Sequence, residues 1–158
     1  MITLQWGELQ FREPVLRQIL DYWNERRGTR RMPARADIEV TDFPTLLPYL
    51  FVIDVLDNPR DFRFRLAGTH FREAVGEEVT GKLIAEAFPP EFGAEVRQAW
   101  SQVVERREPV RGEGDLWVPD RDYVKWEGLA APLSSDGVAV NMLLGGVVFH
   151  QLARKPRR

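Results

Sequence analysis

The side chains able to do chemistry are few and widely separated. Two histidines, His70 and His150, are the only imidazoles in 158 residues, and there is no cysteine. A disulfide framework, a thiolate metal site, a thiol nucleophile and a cysteine-linked chromophore are therefore excluded. His70 opens a short amphipathic segment, where an imidazole can bond a ligand, cap a backbone group or titrate near neutrality. His150 closes an apolar run and is the weaker candidate. Neither has a second metal ligand at a useful spacing, so no metal site is expected. Carboxylates pair as Glu77 with Glu78 and Asp120 with Asp122, adjacent or in loops, where they read as solvated charge and not as an acid/base pair. Gly112-Glu113-Gly114 is too short for a dinucleotide fingerprint, and no glycine-rich loop ends in Lys-Ser/Thr. The expectation is a protein that is not an enzyme, with no kinase, phosphatase or cyclase output.

The charges are uneven although the formal net charge is only −2. Arg26, Arg27, Arg30, Arg31 and Arg35 cluster, and Arg154, Lys155, Arg157 and Arg158 end the sequence. The favoured reading of the cluster is a helix C-terminus whose cations complement the dipole, followed by a basic loop; the tail reads as a frayed terminus. The alternative is binding of a phosphorylated ligand or nucleic acid. Arg26/Arg30 and Arg27/Arg31 have the spacing seen in cyclic-dinucleotide binders of the PilZ type, but the accompanying Asp/Asn-x-Ser-x-x-Gly segment is missing. The balance of charge argues against nucleic acid as the partner. No apolar run has transmembrane length, and Met1–Trp6 lacks the basic start and apolar centre of a signal peptide, so a cytoplasmic protein without membrane insertion is expected.

The elements that must position these groups follow from periodicity. Residues 14–27 read as a helix: Pro14 suits a first turn, Val15, Leu16, Ile19, Leu20 and Trp23 repeat at helical spacing, and Gly28 stops it. Residues 29–48 carry Pro33, Pro44 and Pro48 and read as an ordered connector in which Arg35 and Asp37 form an ion pair or side-chain caps. Residues 49–56 are a buried strand, Asp57-Asn58-Pro59-Arg60 a turn, and the next strand puts Phe62, Phe64 and Leu66 on one face and Arg63 and Arg65 on the other. Gly68 changes direction, Thr69 is placed to cap a short helix carrying Phe71 and Val75, and Gly76 ends it. A turn at Thr80-Gly81 leads to a helix from Pro90 to about Arg107 with Phe92, Val96, Trp100 and Val103 on one side. Candidate strands follow near 111–118, 122–133 and 138–150, the last two joined by a turn at Ser134–Gly137.

Gly68-Thr69-His70-Phe71, Val75-Gly76 and Val79-Thr80-Gly81-Lys82 resemble the passage of the PAS superfamily from its second strand through its short helices. Ala131-Pro132-Leu133, Asp136-Gly137 and Val138 to Gly146 resemble the final PAS hairpin. Tyr22-Trp23, Pro33 to Ile38, Leu47-Pro48, Phe62 to Thr69 and Thr80-Gly81 are similar to a group of compact bacterial PAS proteins, often lone domains and largely of unknown function. The resemblance covers residues 15–150. It implies an α+β fold with a five-stranded antiparallel sheet, order 2-1-5-4-3, helices over one face and an added N-terminal helix. The expected organisation is an extension at 1–13, the helix and connector at 14–48, a PAS-like core at 49–150 and a basic tail at 151–158.

The resemblance places a ligand pocket between the sheet and the helices after the second strand, which nominates His70, Phe71, Phe92, Val96, Trp100, Trp117, Trp126 and Met142. The competing reading is that these side chains fill a solid core. The resemblance also argues against haem, since haem-binding PAS domains ligate from the longer helix and residues 90–107 contain no histidine. No cofactor is expected beyond an unidentified small molecule, with cysteine-linked flavin disfavoured. Three functions stay open. The first is a sensory or regulatory module, without its own output domain, that contacts a signalling protein. The second is a solid-core homodimerisation module using Leu16, Ile19, Leu20 and Trp23. The third is the phosphate-binding mode of the arginines.

Overall fold

Period-two alternation along the strands decides what lies on each side of the sheet. The computed structural model describes residues 1–118 and 122–150. The tail expected at 151–158 and the carboxyl of Asp120 lie outside the described residues. Six strands, β1 (Thr3–Gln5), β2 (Leu50–Leu56), β3 (Asp61–Ala67), β4 (Val110–Val118), β5 (Asp122–Leu133) and β6 (Met142–His150), form one antiparallel sheet in the order β1-β4-β5-β6-β2-β3. Without β1 this is the expected PAS-like order. The expectation of five strands is corrected to six, because the N-terminal extension pairs Thr3–Gln5 with Glu113–Arg111 at the free edge of β4.

The sheet is apolar on both faces, so both must be covered. One face carries α2 (Thr69–Val75), α3 (Ile84–Ala87) and α4 (Pro90–Arg106), with Trp100 of α4 packed on Phe51 and Phe62. The other carries α1 (Pro14–Arg27), whose Leu16, Ile19, Leu20 and Trp23 are all buried. Burying each such side chain contributes about 1.5–3 kcal/mol before entropy is counted. The Trp23 Nε1–H donates to the carbonyl of Pro132 at 2.9 Å, which fixes the helix against β5. These four side chains therefore belong to the chain's own core, and the reading of them as homodimer contacts gives way to packing on the sheet.

Two adjacent glycines of β6 make that double packing feasible. A Cβ on Gly145 would collide with the ring of Phe51, and one on Gly146 with Ile19 and Leu16 of α1. Below α1, Glu127 of β5 is 3% exposed yet fully engaged. It accepts the backbone N–H groups of Arg12 and Glu13 at 3.1 and 2.9 Å and the Arg111 guanidinium at 2.7 Å. A buried carboxylate with that many donors is stable where a lone one would not be.

The connector is ordered by its own side chains. Asp37 accepts the Ala34 N–H at 2.8 Å and pairs with Arg30 at 2.9 Å, while Arg35 donates to the Ile38 carbonyl at 2.8 Å. The Arg35 and Asp37 side chains thus act as local caps and not as an ion pair with each other. Leu66 also departs from expectation. A register shift between Val52 and Ile53 pairs Leu66 with Val52 and takes it off the face shared by Phe62 and Phe64. Gly68 is the residue before α2 and Thr69 its first helical position, so Thr69 is not the cap. Gly68 has an ordinary φ of −68°; its absent side chain matters because the carbonyls of Leu47 and Pro48 occupy the space a Cβ would need.

That crowding is against backbone, which yields little. Gly68→Ala is expected to lower the unfolding free energy by more than about 2 kcal/mol in chemical denaturation. A loss below about 0.5 kcal/mol, the ordinary range of a harmless surface substitution, would show that this backbone approach is loose.

Candidate functional site

Between the sheet and α4 lies a cavity of about 70 Å³. Strand alternation brings Phe51, Phe64, Trp126, Gly128 and Val147 to this face, and helical spacing brings Phe92, Val96 and Trp100 from α4. Every lining residue is apolar. The volume is about half that of the ~150 Å³ apolar cavity known to hold benzene, and far below the ~300 Å³ at which drug-sized pockets begin.

Trp126 forms the floor. Its indole lies over Gly112, Gly114 and Gly128, whose absent side chains leave a trough: ideal Cβ atoms on these residues would stand 3.3–3.4 Å from the ring. Phe92 meets the same indole edge-on, with centroids 5.8 Å apart and planes at 88°. The indole Nε1–H is buried and has no acceptor among the described residues. Strand β1 closes the side of the cavity with Leu4, together with Ile2 just before it. It is tied to α4 by the Ile2 N–H, which donates to Glu95 Oε1 at 3.1 Å.

Of the residues nominated from sequence, Phe71, Phe92, Val96, Trp100 and Trp126 stand in the cavity wall. Three do not. Trp117 is 51% exposed and borders a separate surface cleft with Glu77 and Glu86. Met142 is buried, but alternation along β6 turns it to the α1 face. His70 sits behind the wall, against Tyr49 and Phe149, with ring centroids 4.7 and 6.0 Å away. Its Nε2 accepts the Phe149 backbone N–H at 3.0 Å, which assigns the proton to Nδ1 in the neutral ring. Burial is the main cause of a pKa below the ordinary histidine value, reinforced by His150 and opposed by Glu73 and Glu13. Sequence reasoning missed Phe51, Phe64 and the glycine trough. Phe64 had the alternation to reveal it, whereas Gly112 and Gly128 gain meaning only from the β4–β5 register.

The arginine cluster is engaged in structure. Arg30 donates to the Arg26 and Arg27 carbonyls at 2.7 and 3.1 Å, and Arg31 to the Arg106 carbonyl at the end of α4 at 2.9 Å. Arg26 pairs with Asp42 at 2.9 Å. These cations close the C-termini of α1 and α4. Among the described residues no cluster of three or more His, Asp or Glu is placed to hold a metal, and no helix is long and apolar enough to cross a membrane.

The chain matches the PAS domain family over residues 11–148 and belongs to it. No curated protein sequence matches it. Its fold is similar to that of VqmA bound to DPO, with a TM-score of 0.55 at 17% identity over 72% of this chain and 57% of that one. A light-oxygen-voltage domain probed with a flavin analogue gives 0.54 at 18% identity, over 70% and 82% of the two chains. The PAS domain of Bordetella pertussis BvgS gives 0.51 at 19% identity, over 73% and 88%. At these identities the likeness is one of fold. A flavin does not fit the cavity as it stands, since about 70 Å³ cannot take a fused-ring system and the described wall residues are apolar.

The neutral His70 has a signed consequence for pH. Its folded-state pKa is depressed, so the unfolded chain takes up the proton first as pH falls. Its contribution to stability is complete above the ordinary histidine range, about 6.5, and is lost as pH drops through that range toward the folded value. Denaturation midpoints are expected to fall between about pH 7.5 and pH 5 in the parent protein and to fall less in His70→Gln. Equal slopes in the two proteins would remove His70 from the account.

Proposed function

We propose that this PAS domain is a sensory or regulatory module that binds a small molecule in the cavity under α4 and signals through a contacting protein. The observation that carries the reading is the cavity itself, lined by apolar residues and bounded by both the sheet and α4. A route for the signal is present in one strand. Phe51 of the cavity wall packs on Gly145, and the next residue, Gly146, borders the cavity with its backbone and receives Ile19 and Leu16 of α1. Occupancy that pushes on Phe51 or β6 biases how α1 seats on the opposite face, provided the ligand binds the two arrangements unequally. The signalling partner then reads α1 and its arginine-closed end. A cytoplasmic site of action and a role without catalysis fit this reading.

Native mass spectrometry of the purified protein, with hydrogen exchange before and after adding a small-molecule extract of the producing cells, tests it. The expected result is a bound species of low mass, slower exchange in β6 and α4, and altered exchange in α1. Absence of any bound species together with unchanged protection would favour the solid-core interaction module.

A further inference from the structure

The cavity has one end that reaches the surface, and the shortest strand helps to close it. Of the described lining residues only Ile2, Leu4, Phe92 and Trp126 are part-exposed, and the others are buried. These four adjoin one another. Phe92 meets the Trp126 indole edge-on, the indole lies over Gly112, and Leu4 covers the same glycine, its Cδ2 3.6 Å from where a Cβ would be. A ligand therefore enters at this end.

The four residues differ in how firmly they are held. Trp126 is on β5, which is paired on both sides, and Phe92 is on α4, a helix of 17 residues. Ile2 and Leu4 belong to an edge segment in which three residues pair with a single neighbour. Outside that ladder the segment is tied to α4 through Glu95, by the Ile2 N–H at 3.1 Å and the Met1 ammonium at 3.8 Å, the latter an ion pair in solvent. An edge with so few contacts opens far more readily than the whole domain. A hinge lies just behind it: the Arg106 guanidinium pins Trp6, 4.2 Å from the ring centroid, and Gly7 follows with φ +79°.

We infer that residues 1–5 are a displaceable flap over a larger binding site, in which an uncharged, apolar ligand of about benzene's size replaces Ile2 and Leu4 against Trp126 and Gly112. This rests on the reading of the cavity as a binding site. The closed cavity of about 70 Å³ is half of what benzene needs, so a ligand of that size is admitted only when a wall gives way. The exchange costs little, since ligand hydrocarbon covers the indole and glycine backbone that Leu4 covers in the closed form. A net charge is excluded because every lining residue is apolar. Ligand and closed flap are mutually exclusive, so occupancy shifts the flap toward its open form and is displayed at the sheet edge.

Benzene and xenon, titrated into the full chain with the flap free and with it locked, test this. Thr3 faces Glu113 across β1 and β4, and alternation turns both side chains away from the cavity. Thr3→Cys with Glu113→Cys therefore sets two thiols within disulfide range in a chain that has no other cysteine, and Arg111 keeps its bond to Glu127 at 2.7 Å. Benzene is expected to bind the parent and the reduced double variant, and the oxidised variant about tenfold or more weakly. In the benzene-saturated parent, amide exchange at Thr3–Gln5 rises about tenfold while that of Gly128 does not. Xenon, which fits the closed cavity, binds the oxidised and reduced forms alike. Equal benzene affinity in the two forms, unchanged exchange at Thr3–Gln5 in the saturated parent, or entry of xenon without any binding of benzene would overturn the flap while the cavity still stands as a binding site. The exchange measurement needs no substitution, so it decides the matter even where the double variant fails to fold. Failure of both probes to perturb any wall residue would overturn the binding-site reading and this inference with it.

Discussion

The structure depends on how closely its layers approach β6. Gly145 and Gly146 are consecutive, so their absent side chains face opposite sides of the sheet. One vacancy admits the ring of Phe51 on the cavity side, the other admits Ile19 and Leu16 of α1. A methyl group at either position would push a layer away from the sheet and expose apolar surface that has no other cover. The same two residues bring the cavity and α1 within one strand's thickness of each other. A change in how the cavity is filled therefore has a short mechanical path to the helix on the far face.

Around that centre the polar groups do structural work. Glu127 holds the chain entering α1 through two backbone N–H groups while neutralised by Arg111, so the helix begins at a fixed point over the sheet. The arginines that suggest an anion site instead satisfy carbonyls at the ends of α1 and α4 or pair with Asp37 and Asp42. His70 joins α2 to β6 through Phe149, a residue of the cavity wall. Among the described residues, the Nε atoms of Arg26 and Arg97 and the Nε1 of Trp126 are buried without a hydrogen-bond partner, and the two arginines still pair through Nη2 with Asp42 and Asp61.

Much of the fold was legible before the structure. Helical spacing of Leu16, Ile19, Leu20 and Trp23 located α1, and that of Phe92, Val96, Trp100 and Val103 located α4. Strand order came from the family resemblance and not from periodicity, which says nothing about neighbours in a sheet. β1 was illegible because Thr3–Gln5 is too short to show alternation and is a strand only by pairing with β4. The bulge that turns Leu66 away is likewise set by the β2–β3 register. Reading which way a side chain faces succeeded where an aromatic residue lies on a helix with a clear apolar stripe, as with Phe92 and Trp100. It failed where facing depended on strand register, as with Trp117 and Met142. The glycine trough under Trp126 is a property of two strands together, visible in neither segment alone.

The central claim is that an apolar space able to accept a ligand lies between Trp100 and the sheet, and that the side chains there do not form a solid core. A crystal of the protein equilibrated under xenon gas addresses this most directly, since xenon enters dry apolar cavities and scatters strongly. The account predicts a xenon atom among Phe51, Trp100 and Trp126, with their side chains little moved. Well-ordered density for those side chains with no xenon between them would contradict it.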